Sequence, residues 1–396
     1  MKRSICLILL YASFTVLIGC RTERPKPVFK PPYDNPLPPG EFALRKITNP
    51  DQIPDFTMAC YDLQSQREAI AGSLRYMSKP SSKTFYPIND ITHQRVVDSL
   101  QAFAELLDSG LSGAALNQAI REKFDVYISV GCDDHGTVLF TGYYTPIFEG
   151  SDQPSDKYKY PLYNLPPEIV KGPNGEILGR KTASGEMIPY PPRAVIERTQ
   201  MLRGKELIYL TDPFEAYIAH VQGSAKIRMP DGNLQTVGYA GNNGHEYKSI
   251  SRQMLDDGVI GKNQLSLGSM IEYFKSNREQ VSRYTAINPR FVFFRYEEGN
   301  PRGSLNEPVT PYRTIATDKS IFPRASITFI TTSLPQNRGG VIVNDVYSGF
   351  ACDQDTGGAI RAPGRCDVYM GIGDTAGKLA GQTYQEGKLY YLFVKE

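Results

Sequence analysis

A chain of 396 residues suits two domains, and 35 glycines with 29 prolines make it rich in turns. Its 40% hydrophobic content still supports packed cores and excludes wholesale disorder. Lys+Arg 44 against Asp+Glu 42 leaves a net charge of +2, so no basic surplus points to a nucleic-acid partner.

Residues 1–20 read as a targeting segment outside the fold. Lys2 and Arg3 precede a mostly apolar run from Ile5 to Ile18, too short for a comfortable membrane span. The run closes in Leu17-Ile18-Gly19-Cys20, which resembles the bacterial lipoprotein signal; an ordinary secretory signal is the alternative. Acylation of Cys20 by two or three chains anchors a protein stably to a membrane face. Arg21 stands where an aspartate favours retention at the inner membrane, so the expected location is periplasm-facing, at the outer membrane rather than the inner. Residues 21–40 hold seven prolines and read as an extended tether, with folded structure starting near Glu41.

Val96, Leu100, Phe103 and Leu107 recur at helical spacing and stop at Ser109-Gly110; Leu116, Ile120 and Phe124 form a second short stripe. From Val126 onward short β-like runs alternate with Gly, Pro, Asn and Asp. Examples are Thr137–Tyr144, Glu206–Leu210, Ala225–Met229, Phe291–Tyr296, Ser326–Thr331, Val341–Val346 and Lys388–Val394. Many short strands argue for barrels or sandwiches and not for a doubly wound sheet. Asp212-Pro213 suits the start of a helix carrying Phe214 and Tyr217. Apart from Cys6 and Cys20, four cysteines remain, and in an exported chain they allow three pairings. The expected disulfide joins Cys352 to Cys366, worth roughly 3 kcal/mol, and leaves Cys60 to Cys132.

Several familiar signatures fail. His245-Glu246 lacks the second histidine of a zinc-peptidase helix, because position 249 is serine, and four histidines in all leave little room for a metal site. Gly371-Ile372-Gly373 with Gly377 is one residue too long for a dinucleotide fingerprint. No phosphate-binding Walker loop or Gly-x-Ser-x-Gly elbow is present. Asp355-Thr356-Gly357 has the form used twice by aspartic proteases, but its only companion, Asp108-Ser109-Gly110, closes an amphipathic helix.

A set of blocks in fixed order carries more. They begin with Thr141-Gly142-Tyr143-Tyr144-Thr145-Pro146 and Pro192-Arg193-Ala194-Val195-Ile196-Glu197. Asp212-Pro213-Phe214-Glu215-Ala216-Tyr217 follows, then Gln222-Gly223-Ser224-Ala225 and Val237-Gly238-Tyr239-Ala240-Gly241-Asn242-Asn243-Gly244. Last come Thr317-Asp318, Asp355-Thr356-Gly357-Gly358-Ala359-Ile360 and Asp367-Val368-Tyr369-Met370-Gly371-Ile372-Gly373. Behind a lipoprotein signal, these blocks resemble the membrane-bound lytic murein transglycosylase A family from about Phe140 to the C-terminus. The segment 361–366 departs from the Lys-Gly-rich link of that pattern and carries Cys366, which the family does not require.

The resemblance implies a mainly β fold with a few helices. A double-psi β-barrel domain (41–147 plus 296–396) would be interrupted by a second, all-β inserted domain (148–295), with a substrate groove between them. It also implies the activity: cleavage of the MurNAc–GlcNAc β-1,4 bond of peptidoglycan to leave 1,6-anhydromuramic acid ends, with no metal or organic cofactor. Asp367 aligns with the catalytic acid, and Asp355 and Asp318 with its supporting carboxylates. Implied partners are glycan strands, a membrane reached through the lipid on Cys20, and cell-wall synthesis proteins.

Chemistry explains how one acid can suffice. The muramic C6 hydroxyl attacks C1, so a single group can protonate the leaving oxygen and later take a proton from that hydroxyl. An ordinary aspartate titrates near ~3.9, so Asp367 must be desolvated or lie beside another carboxylate such as Asp355. Tyr143 and Tyr144 suit stacking on sugar rings, although tyrosines adjacent on a strand usually split between core and surface. Thr141 and Gly142 share that block; Gly223 and Ser224 suit contacts to N-acetyl or hydroxyl groups, and Gly357 and Gly358 leave room for a sugar near the backbone. The rival readings are a water-using hydrolase with the same groove and a non-catalytic glycan-binding lipoprotein.

Overall fold

The computed structural model describes residues 32–173, 175–261 and 266–396, and Pro32–Glu396 form one compact unit. The signal, Cys20 and tether residues 21–31 lie outside the described residues. The chain opens with β1 (Leu44–Lys46) and three helices, α1 (Gln66–Met77), α2 (His93–Asp108) and α3 (Gly113–Lys123). Thr92 caps α2 by accepting the Arg95 N–H, and Val96, Leu100 and Phe103 on its apolar face are fully buried. The second predicted stripe is shorter than its spacing suggests. Leu116 and Ile120 lie on α3, but Phe124 begins β2 (Phe124–Ser129).

β3 (Val138–Thr145) enters the main sheet, and after Pro146 the chain continues as β4 (Ile147–Ser151) in a second sheet. The second region holds β5 (Tyr160–Tyr163), β6 (Ile169–Lys171), β7 (Ile177–Lys181), β8 (Met187–Ile188), α4 (Arg193–Thr199), β9 (Glu206–Leu210) and α5 (Pro213–Gln222). It continues through β10 (Ala225–Arg228), β11 (Leu234–Asn242), α6 (Ser251–Asp256), α7 (Leu267–Ser276), α8 (Val281–Thr285) and β12 (Val292–Glu297). Six of these strands form one sheet in the order β12-β11-β10-β4-β9-β5. Alongside the sheet stand α4 to α8, so the region is more helical than an all-β insert. Most of these helices run for too few turns to print a clear apolar period. α5 starts at a side-chain cap, with Asp212 accepting the Phe214 and Glu215 N–H groups ahead of Pro213.

The C-terminal part supplies β13 (Thr314–Ala316), β14 (Ile327–Arg338), β15 (Val341–Asp355), β16 (Arg365–Ile372), α9 (Gly373–Gln382) and β17 (Tyr384–Val394). The order β17-β14-β15-β13-β16-β3, with β3 pairing back to β17, closes a six-stranded barrel. The fold is therefore mainly β with a closed barrel and a few helices. Phe56, Phe103, Phe329 and Phe350 interlock edge-to-face or tilted where α2 covers the barrel, and all four are fully buried. At roughly 1.5–3 kcal/mol for each buried aromatic side chain, this contact holds the helical layer on the sheet.

Candidate active site

Strand register brings the two central aspartates together. On β13, Ala316 pairs with Asp355 of β15 on one side and with Asp367 of β16 on the other. Residues opposite one another in a sheet project from the same face, so the two carboxylates flank the Ala316 methyl. Two strand spacings separate their backbones, about 9.6 Å.

A β-bulge makes this possible. The pairing steps from Ile315–Asp353 to Ala316–Asp355, leaving Gln354 as the extra residue. Simple alternation would put Asp353 and Asp355 on one face; the bulge turns Asp353 into the barrel and Asp355 out. Buried Gln354 is held from both sides, donating to Ala69 O (2.6 Å) and accepting from the Thr314 hydroxyl (2.7 Å).

Both aspartates line a groove of about 550 Å³, whose walls come from the barrel and from the second sheet. Asp355 is fully engaged. Its Oδ1 accepts the N–H groups of Ser304 and Thr356 (both 2.8 Å), and its Oδ2 accepts the Tyr143 hydroxyl (2.8 Å). Burial raises the Asp355 pKa, against the lowering effect of these bonds and of Lys319. Asp367 accepts only the Thr141 hydroxyl among the described side chains. Its pKa is also raised, chiefly by burial and further by the Asp355 charge, while Arg365 and the Thr141 bond pull it down.

Gly142, Tyr143, Gly223, Ser224, Gly357 and Gly358 line the same groove, and Thr141 touches Asp367 from the neighbouring strand. Three expected residues, Thr141, Tyr144 and Asp318, are not among those that line it. Tyr144 faces the other way, 7% exposed, with its ring against Gly377 of α9. Successive residues of β3 point to opposite faces, so only Tyr143 can reach the groove. The Gly142 hydrogen points the same way as Tyr144, and a Cβ there would stand 2.8 Å from Ala380 Cα. The absent side chain admits α9, and not a sugar. Asp318 is a brace behind the groove, its Oδ1 accepting Ser320 N–H and hydroxyl and its Oδ2 the Ala362 N–H (3.0 Å). It orders the loop that leads into β16.

The expected disulfides are absent: Cys60, Cys132, Cys352 and Cys366 are free thiols. Cys352 pairs with Thr314 on β13, whereas Cys366 lies on β16 at the far side of that strand, one residue before the partner of Ala316. A whole strand lies between them, beyond the 4.4–6.8 Å Cα separation that a disulfide spans. Cys352 instead accepts a weak bond from the Gln66 amide (3.7 Å).

Other contributors were not singled out by the sequence, although Thr145, Thr317 and Tyr369 lie within its motif blocks. Beneath the site, buried Asp353 accepts from Lys319, from the Thr317 hydroxyl (2.9 and 2.8 Å) and from the Tyr391 hydroxyl (2.8 Å). On the groove wall, Thr145 and Tyr369 share a hydroxyl contact of 3.0 Å. His220 is packed against Phe291 and Phe294 and accepts the Val292 N–H at Nδ1 (3.0 Å). Burial holds its pKa well below the ordinary imidazole value, so the ring is neutral and that bond assigns the proton to Nε2. No cluster of three His, Cys, Asp or Glu residues among the described residues could hold a metal ion.

Comparison with known proteins agrees with this architecture. Residues 139–295 match the MltA specific insert domain, and residues 313–393 match the 3D domain. The chain is 27% identical over 389 residues to the membrane-bound lytic murein transglycosylase A of Vibrio cholerae, covering 97% of this chain and 94% of the relative. A crystal structure of membrane-bound lytic murein transglycosylase from Agrobacterium tumefaciens superposes with a TM-score of 0.74 at 25% identity, covering 89% of this chain and 98% of that one. The Escherichia coli K12 membrane-bound lytic murein transglycosylase A is 30% identical over 272 residues, 68% of this chain and 69% of the relative. By that identity and coverage, the chain belongs to the membrane-bound lytic murein transglycosylase A family.

Proposed function

We propose that this protein is a lytic transglycosylase that cleaves the MurNAc–GlcNAc β-1,4 bond of peptidoglycan, with Asp367 as its acid and base. The observation that carries the reading is the rung Asp355–Ala316–Asp367 on the floor of a groove, with burial raising the pKa of Asp367. Protonated Asp367 gives its proton to the leaving glycosidic oxygen; the carboxylate so formed then takes the proton of the muramic C6 hydroxyl as that oxygen bonds to C1. One bond breaks, one forms, and Asp367 ends protonated, ready for the next turn.

Asp355 supports this cycle electrostatically. Both of its oxygens are engaged by the protein, which leaves it poorly disposed to activate water and disfavours the hydrolytic reading. Tyr143, Ser224, Gly357 and Gly358 line the path of the glycan, and Thr141 orients Asp367. On this reading 41–147 plus 296–396 form the catalytic domain, and 148–295 are an insert that supplies the opposite wall.

We also infer attachment through acyl chains on Cys20, facing the periplasm from the outer membrane, where cell-wall synthesis proteins are available partners. The lipoprotein-like signal supports this; no helix among the described residues is long and apolar enough to cross a membrane. Asp367→Asn tests the central claim. The variant should fail to clear purified murein sacculi, and wild-type digests should carry ends one water lighter than hydrolysed ends by mass spectrometry. Undiminished clearance by the variant, or hydrolysed ends from the wild type, overturns it.

A further inference from the structure

The proposed chemistry makes no use of the first described residues, yet they lie against the strand that carries the acid. Tyr33 donates its hydroxyl to Glu386 Oε1 (2.6 Å), and its carbonyl oxygen would stand 2.6 Å from a Cβ at Gly364. One residue on, Asp34 Oδ1 pairs with Arg365 Nη1 at 3.2 Å. The Arg365 side chain is 16% exposed and that of Asp34 67%. The other arm of the guanidinium, Nη2, donates to the Thr141 hydroxyl (3.4 Å), and that hydroxyl donates to Asp367. Arg365 and Asp367 stand two residues apart on β16 and share a face. The four side chains form one continuous path: Asp34, Arg365, Thr141, Asp367.

We propose that Asp34 is a positioning residue of the active site, which holds Arg365 and so limits how strongly that cation opposes the proton on Asp367. The proposal rests on the reading of Asp367 as the acid. Asp367 is faced by Asp355 from β15, by Tyr143 and Thr141 from β3, and by Arg365 from its own strand. Arg365 is the cation among them, and its Nε is buried without a hydrogen-bond partner. Its charge is answered by Asp34 on the solvent side and by Asp367 on the groove side. With Asp34 neutralised, the cation acts more fully on Asp367 and favours the carboxylate. The C-terminal part of the proline-rich segment 21–40, expected as tether only, thus packs on the barrel and belongs to the electrostatics of catalysis.

Asp34→Asn in the full chain is the test, because an exposed isosteric change spares the fold. Its alkaline limb of activity on sacculi should move to lower pH by roughly 0.3–0.5 unit, a two- to threefold loss on that side, with KM unchanged. Arg365→Gln should move the limb upward, and the double variant should titrate like Arg365→Gln alone. Carboxyl NMR of Asp367 reads the same shifts without turnover, so failure of the lytic reading and failure of this inference are distinguishable. An unchanged Asp367 titration in Asp34→Asn, or an upward shift there, overturns the proposal.

Discussion

Replacing Asp355 by Asn separates a single-acid enzyme from one that uses two carboxylates. The amide is isosteric: its oxygen can keep the Ser304 and Thr356 bonds, and its NH₂ can donate to the Tyr143 oxygen in reverse of the native bond. What is lost is a negative charge across Ala316, two strand spacings from Asp367. At about 9.6 Å and an effective dielectric constant between about 20 and 80, that charge is worth about 0.4–1.7 kcal/mol. The matching shift of Asp367 is about 0.3–1.3 pH units downward. Burial, the larger cause of the raised Asp367 pKa, is untouched. Activity should therefore survive, with the alkaline limb moved to lower pH and the rate at the optimum within about tenfold of wild type. The assay is turbidity loss of purified sacculi from about pH 4 to about pH 8, with anhydro ends counted by mass spectrometry. A loss of about a thousandfold or more at every pH would refute the reasoning, because Asp355 would then take part in bond-making.

Three further outcomes are expected. Lys319→Met strands the buried Asp353 charge and should cost about 3–5 kcal/mol, read as a lower urea midpoint; the partner change Asp353→Leu in the same chain should restore most of it. Glu215, with Oε2 buried and unpartnered, has its pKa raised to about 7, first by burial and then by Asp212. The stability tied to its proton is present below its unfolded value of 4.5 and is lost as pH rises through about 7. Glu215→Gln should thus raise Tm above neutral pH and leave it unchanged near pH 4 (~); equal Tm values throughout would contradict the burial. Iodoacetamide in denaturant without reductant should label Cys60, Cys132, Cys352 and Cys366 alike, and a protected Cys352–Cys366 pair on peptide mapping would contradict the free thiols.

Much of this was legible because it is local. The stripe Val96-Leu100-Phe103 forms α2, Glu206–Leu210 is β9, and Asp212-Pro213 begins α5 through one side-chain cap. In each, the signal and the structure lie within a few residues of one another. The helices α6 and α8 were not legible, since six and five residues complete too few turns to show a period. The long helix α1 was also missed. It buries Gln66, Gly72 and Ser73 with its apolar residues, so the stripe that betrays α2 is diluted.

The order of the motif blocks in the primary structure was enough to indicate the family, its chemistry and Asp367 as the proposed acid. Which neighbouring side chains serve that acid was decided by the tertiary structure alone. The bulge at Gln354 sends Asp355 out and Asp353 in, the pleat of β3 chooses Tyr143 over Tyr144, and β13 keeps Cys352 from Cys366. Arg365 meets Asp34 across more than three hundred residues of chain. The physical reason is register. A strand's facing depends on partners far away in sequence, and a shift of one residue reverses every side chain it carries.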